Sequence, residues 1–261
     1  MTSRTKLKRA EDKLKELQDW VNKYFAAIPY KVAVRINSDR RPEYYIADVI
    51  DVPLEIVLLA GEAIQNLRSA LDHLAYNAFK FNSNNQTKEG INIYFPIEDS
   101  QEKYIQQKTR KTEGIPSEVI DKFDSFKPYK EGNITLWKLN KLNNIDKHRL
   151  LIAVGSSFGS LNIAPTIWET MRSVVPEKMP QIEKILPALF ILPADKLLPL
   201  KKDDVLFLDL PDKVPNSAIQ FQFHIAFNES GVVEGDEITE VLKNMYEEVL
   251  RIYNEVEPLI K

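Results

Sequence analysis

Proline placement divides this chain before any other feature does. Eight of its fifteen prolines stand at 165, 176, 180, 187, 193, 199, 211 and 215. Each removes a backbone donor and crowds the preceding turn of a helix, so this stretch has little room for long helices. Three apolar repeats of helical period occupy sparser ground. Residues 5–27 carry Leu7, Ala10, Leu14, Leu17, Val21 and Tyr24 at alternating steps of three and four. Residues 53–81, opened by Pro53, form the longest helix of the first half, ended by the polar run Asn82-Ser83-Asn84-Asn85. Residues 236–257 place Ile238, Val241, Leu242, Met245, Val249, Ile252 and Val256 on one side.

Between these helices lie period-two segments. Val32, Val34 and Ile36 share one face, a polar turn runs from Asn37 to Pro42, and residues 43–50 form the returning strand of a hairpin. Ile91, Ile93 and Phe95 predict a short strand. Residues 98–127 read as helical pieces broken at Gly114-Ile115-Pro116, and residues 133–149 as a helix with Ile134, Trp137, Leu139, Leu142 and Ile145 as its apolar members. In the second half, strands are expected within 150–164 and at Val205–Leu210. The clearest one alternates Ile219, Phe221, Phe223, Ile225 and Phe227 with Ala218, Gln220, Gln222, His224 and Ala226. The fold class is therefore α+β. A helical first lobe over 1–150 holds the hairpin at about 31–50, and a β-rich second lobe over 151–261 is closed by the long C-terminal helix. One continuous domain, with the last helix returning to the first lobe, is the other arrangement.

Composition narrows the chemistry. The 261 residues include no cysteine, which removes disulfides, thiolate nucleophiles and cysteine-ligated metal. The three histidines are His73, His148 and His224. Residues 1–150 carry 25 basic and 21 acidic side chains, a net of +4, and residues 151–261 carry 10 and 17, a net of −7. No apolar run approaches the ~20 residues that span a bilayer, and the first residues lack the apolar core of a signal peptide. A cytoplasmic protein without a membrane segment is the expectation. P-loop, G-x-G-x-x-G and G-x-S-x-G motifs are absent, and no cofactor is expected.

The informative stretch is Gly61 to Tyr76. At about 100° per residue, Ala60, Ala63, Ile64, Leu67, Ala70, Leu71, Leu74 and Ala78 fall on one arc. Glu62, Gln65, Asn66, Ser69, Asp72, His73 and Tyr76 fall on the other, with Arg68 at its edge. A polar arc free of lysine and rich in Asn, Ser, His and Tyr suits contact with another polar surface. A hydrogen-bonded helix–helix interface is the plainest reading.

Arg68-Ser69-Ala70-Leu71-Asp72-His73 resembles the R-x4-H signature of HEPN domains. These are compact helical domains, many of them metal-independent endoribonucleases of toxin–antitoxin and defence systems. The stretch Asn66-Leu67-Arg68-Ser69-Ala70-Leu71-Asp72-His73-Leu74-Ala75 also resembles segments of uncharacterised bacterial proteins. The HEPN resemblance implies that Arg68 and His73 of two subunits form a composite RNA-cleaving site in a homodimer, with a cognate antitoxin or other protein as a further partner. In this sequence Ser69 follows the arginine, and Tyr76 stands three residues after the histidine, not the two of the tyrosine-modified subgroup. The chemistry is coherent. Metal-free cleavage needs an acid and a base near neutrality, which histidine supplies, and positive charge at the phosphorane, which arginine supplies. Asp72 is the group to orient an imidazole, and Asn66 the group to bind a phosphate oxygen; Tyr76 lies beside them.

A second polar cluster, Asn143 to Arg149, closes the helix of residues 133–149. Helix-end chemistry explains its cations. The sharper reading has Asp146, His148 and Arg149 join Arg68 and His73 in one pocket. A metal hydrolase using Asp72, His73, Asp146 and His148 is a third reading, disfavoured because near-adjacent helical residues point about 100° apart. The alternative to an endoribonuclease is a non-catalytic interaction or ligand-binding module that uses the same polar helix face as a dimer contact.

Overall fold

A computed structural model describes residues 2–82, 92–156, 161–162, 168, 171–172, 174–178, 190–191, 198–216 and 219–260. Six α-helices and small antiparallel sheets are present among them, so the fold is α+β. The chain divides into two compact units that are not consecutive halves. The first comprises Met1–Val21, Leu54–Ile152 and Glu229–Lys261, and the second Asn22–Pro53 and Ala153–Asn228. The hairpin, expected with the first lobe, belongs to the second unit, and the C-terminal helix belongs to the first.

The first unit is built around α2 (Leu54–Asn82). Its 29 residues rise about 44 Å, begin directly after Pro53 and bury Ile56, Ala60, Ala63, Ile64, Leu67, Ala70, Leu71, Leu74 and Ala78. Each fully buried leucine or isoleucine on that stripe contributes roughly 2 kcal/mol of transfer free energy. Helix α1 (Ser3–Ala26) buries Leu7, Ala10 and Leu17. Ser3 Oγ donates to the Ala70 carbonyl at 2.8 Å, and Lys13 pairs with Glu62 at 3.0 Å, which sets α1 antiparallel to α2. Three further helices follow: α3 (Gln101–Lys111), α4 (Ser117–Ser125) and α5 (Ile134–Asp146). Ser100 caps α3 by accepting from the Lys103 amide, and Asn133 caps α5 by accepting from the Leu136 amide. The last helix, α6 (Ile238–Val256), buries Ile238, Leu242, Met245, Val249, Ile252 and Val256 and lies against α2 and α5.

Residues 92–97 depart from the expected strand; Ile91 lies outside the described residues. The segment pairs with no strand among the described residues. It is tied to its neighbours by other hydrogen bonds. The Tyr94 amide donates to the Lys111 carbonyl, the Phe95 amide to Asp72, and the Glu98 amide to the Pro128 carbonyl. Ile134, expected to be buried, is exposed at the first position of α5, where Leu136 takes the core place.

In the second unit, β1 (Tyr30–Ile36), β2 (Pro42–Val49) and β6 (Val205–Leu208) form an antiparallel sheet in the order β1-β2-β6. Here β3 (Ala153–Ser156) pairs with β8 (His224–Phe227), and β4 (Leu161–Asn162) lies between β5 (Phe190–Ile191) and β7 (Gln220–Phe221). The uninterrupted strand expected over residues 219–227 is thus two short strands in different sheets. The chain changes sheet at Gln222-Phe223, where the Phe223 ring lies 4.7 Å from that of Tyr30. Tyr24 donates its hydroxyl to the Ile50 carbonyl at 2.6 Å and so accepts from Tyr30 at 2.9 Å. Of the region 150–164, residues 157–160 and 163–164 lie outside the described residues.

Candidate functional site

Helix α2 carries the predicted residues on two different flanks. On the α5 flank, Arg68 is 9% exposed and every guanidinium nitrogen has an acceptor. Nε donates to Asn140 Oδ1 at 3.1 Å, Nη1 to Asp72 Oδ1 at 2.5 Å and Nη2 to the Phe95 carbonyl at 3.0 Å. Asp72 Oδ1 also accepts from the Phe95 amide at 3.1 Å. Burial pushes the Asp72 carboxyl upward, and the Arg68 charge, the Phe95 amide and Lys147 oppose that push. A guanidinium fork with three fitted acceptors holds α2, α5 and the extended segment together. The i, i+4 spacing of Arg68 and Asp72 signals such a pair in the sequence. Nothing in the sequence signals Asn140 or the Phe95 carbonyl.

His73 belongs to the other flank, toward α1. It is half-buried, and its imidazole makes no hydrogen bond with the described residues. Burial lowers its pKa, and the charge of Lys6 lowers it further against the opposing pull of Asp72. Both effects favour the neutral ring. Asn66 accepts from Lys6 Nζ at 3.2 Å and donates to the Glu62 carbonyl at 2.8 Å, so its amide is engaged within the α1–α2 seam. Tyr76 is 36% exposed, with Lys80 over its ring at 5.1 Å. Gln65, Ser69, His73 and Tyr76 form the accessible ridge of α2 between these flanks.

The second cluster does not join them. Asp146 lies against Gly61, seven residues and about 10 Å along α2 from Arg68. Burial raises its pKa with no cation opposing it. His148 is exposed in the turn after α5. Arg149 is held by Glu229, a carboxylate only 2% exposed, through Nη1 at 3.0 Å and Nη2 at 2.6 Å; Glu229 also caps the Ile152 amide at 2.8 Å. This pairing, across 80 residues, had no signal beyond Glu229 standing in a turn.

Asp72, His73, Asp146 and His148 are not brought to one point, and no group of three or more His, Asp or Glu among the described residues is placed to hold a metal ion. No helix among them is long and apolar enough to cross a membrane.

Comparison of the chain with protein-family models, curated proteins and solved structures finds no match.

Proposed function

We propose that the chain is a HEPN-like helical module that acts by contact and not by catalysis, presenting the α2 ridge to a second copy of itself. The state of Arg68 carries this reading. A guanidinium that is 9% exposed and spends three of its five N–H donors on Asn140, Asp72 and the Phe95 carbonyl is turned into the fold and away from an incoming phosphate. Its removal would leave the half-buried Asp72 carboxylate without its nearest cation before it altered any chemistry. The ridge of Gln65, Ser69, His73 and Tyr76 suits a contact surface, being polar, free of lysine and of moderate bulk. Light scattering of the pure chain across a range of concentrations tests this. A dimer is expected, and Ser69→Arg, which sets a cation at the centre of the ridge, should split it with the helical spectrum unchanged. A wild-type chain that stays monomeric at high concentration sinks the proposal.

One observation favours the endoribonuclease as a second reading. His73 is only half-buried, and burial and Lys6 lower its pKa, which favours the neutral form that a general base needs. Lys6, which acts on His73 electrostatically, is the cation available to it in place of Arg68. RNA cleavage in EDTA, lost in His73→Ala and weakened in Lys6→Gln, would establish it. Equal inertness of wild type and variants toward a panel of RNAs would leave the contact reading alone.

A further inference from the structure

A cavity of about 510 Å³ in the first unit is lined by the start of α1, the C-terminal part of α2 and the end of the chain. Its polar side chains include Thr2, Ser3, Arg4, Asn77 and Lys80. Arg4 and Asn77 make no hydrogen bond or ion pair with the described residues, and the Lys80 ammonium has only the Tyr76 ring beside it. Two cations stand against one carboxylate in the lining, Glu257. Leu74 and Ile260 give the cavity apolar wall, and Phe81 and Tyr253 supply aromatic surface; Phe81 is 53% exposed.

Arginine and lysine recognise phosphate, arginine through a planar fork and lysine as a point charge. Aromatic side chains accept the face of any base, and a side-chain amide offers both a donor and an acceptor to a base edge. The volume falls in the range of small-ligand sites, roughly 300–1,000 Å³. The geometry points to a site for a nucleoside phosphate in this cavity, with the phosphate between Arg4 and Lys80, the base against Phe81 and Tyr253, and Asn77 on its edge. The site meets the α2 ridge only at Tyr76, whose ring lies beside Lys80, and binding by Arg4 and Lys80 does not require that ridge to form a contact. The ligand is a free mononucleotide or one nucleotide of a single-stranded RNA, since both offer the same unit.

Calorimetric titration of the untagged full chain with AMP, adenosine and a 5′-phosphorylated penta-adenylate tests it. AMP is expected to bind saturably, adenosine about tenfold or more weakly, and Arg4→Glu and Lys80→Glu each to weaken AMP about tenfold or more with an unchanged circular dichroism spectrum. Lys15→Glu, outside the lining, should bind as wild type does. Binding of the penta-adenylate but not of AMP, with the same dependence on Arg4 and Lys80, assigns the site to an RNA strand. Absence of binding by both, binding that survives both charge reversals, or adenosine binding as tightly as AMP overturns it.

Discussion

Asp146 lies directly over Gly61. A Cβ on that glycine would come within 2.5 Å of Asp146 Oδ1 and 2.9 Å of Oδ2, so the missing side chain of α2 is the space in which the carboxylate of α5 rests. The obstruction is the end of a side chain, which sets the sign of the substitution. Gly61→Ala should swing the carboxylate outward and recover about 1 kcal/mol of helix propensity, leaving net stability within about 1 kcal/mol of wild type. The Asp146 carboxyl, held above its ordinary range by burial, should then titrate lower. Gly61→Leu must separate the two helices and should cost about 1–3 kcal/mol. Urea unfolding and carboxyl titration by NMR read both effects.

Arg68 and Asp72 should behave as one unit. Arg68→Ala leaves the half-buried Asp72 without its nearest cation and Asn140 and the Phe95 carbonyl without their donor. The expected loss is about 2–4 kcal/mol, below the upper end for a fully buried pair because Asp72 keeps some contact with solvent. Arg68→Lys should recover only part, because one ammonium cannot match a three-way fork. In a double-mutant cycle, Arg68→Ala with Asp72→Ala should cost less than the sum of the singles. Additive losses measured by chemical denaturation would mean that the two side chains act independently.

The sequence exposed what was local. Helical period marked α1, α2 and α6, Pro53 marked the start of α2, and the Gly114-Ile115-Pro116 break separated α3 from α4. The polar arc of α2 was legible too, although not its use. Arg68 stood at the arc's edge, and a residue there can turn outward to a ligand or inward to a neighbouring helix. The acceptors that turn it inward, Asn140 and the Phe95 carbonyl, are 72 and 27 residues away. The same limit hid the Arg149–Glu229 pair. It also hid the unpaired state of residues 92–97, whose alternating pattern matched a strand while the Lys111 carbonyl and the Asp72 side chain took hydrogen bonds that a neighbouring strand would have taken. Over 219–227 the alternation was real, but period two cannot show that a chain leaves one sheet for another.

Gly155 and Tyr30 provide a second contact with no room in it. A Cβ on Gly155 would stand 1.9 Å from the Tyr30 hydroxyl and 2.6 Å from Cζ. Tyr30 cannot yield freely, because its hydroxyl donates to Tyr24, itself bonded to the Ile50 carbonyl. Gly155→Ala should therefore cost about 1–3 kcal/mol. Adding Tyr30→Phe removes the closest atom but not the ring carbon, and should restore part of the loss. Thermal unfolding of the single and double variants checks this, and no penalty in Gly155→Ala would contradict the contact.

His73 makes the stability of the first unit depend on pH in a definite direction. Burial first and Lys6 second hold its folded pKa below the ordinary 6.5. As pH falls through that value the unfolded chain takes up the proton before the folded chain does. The contribution of His73 to stability is thus fully present above about pH 6.5 and is lost as pH falls toward the folded midpoint. His73→Gln should abolish this part of the pH dependence, so the variant should gain on wild type between pH 7 and pH 5. Lys6→Gln removes the nearby charge but not the burial. It should raise the His73 midpoint, followed by NMR of the imidazole, without restoring it fully to the unfolded value. An unmoved midpoint in Lys6→Gln would mean that burial and the remaining charges set the titration without Lys6, and would remove Lys6 from any account of chemistry at His73.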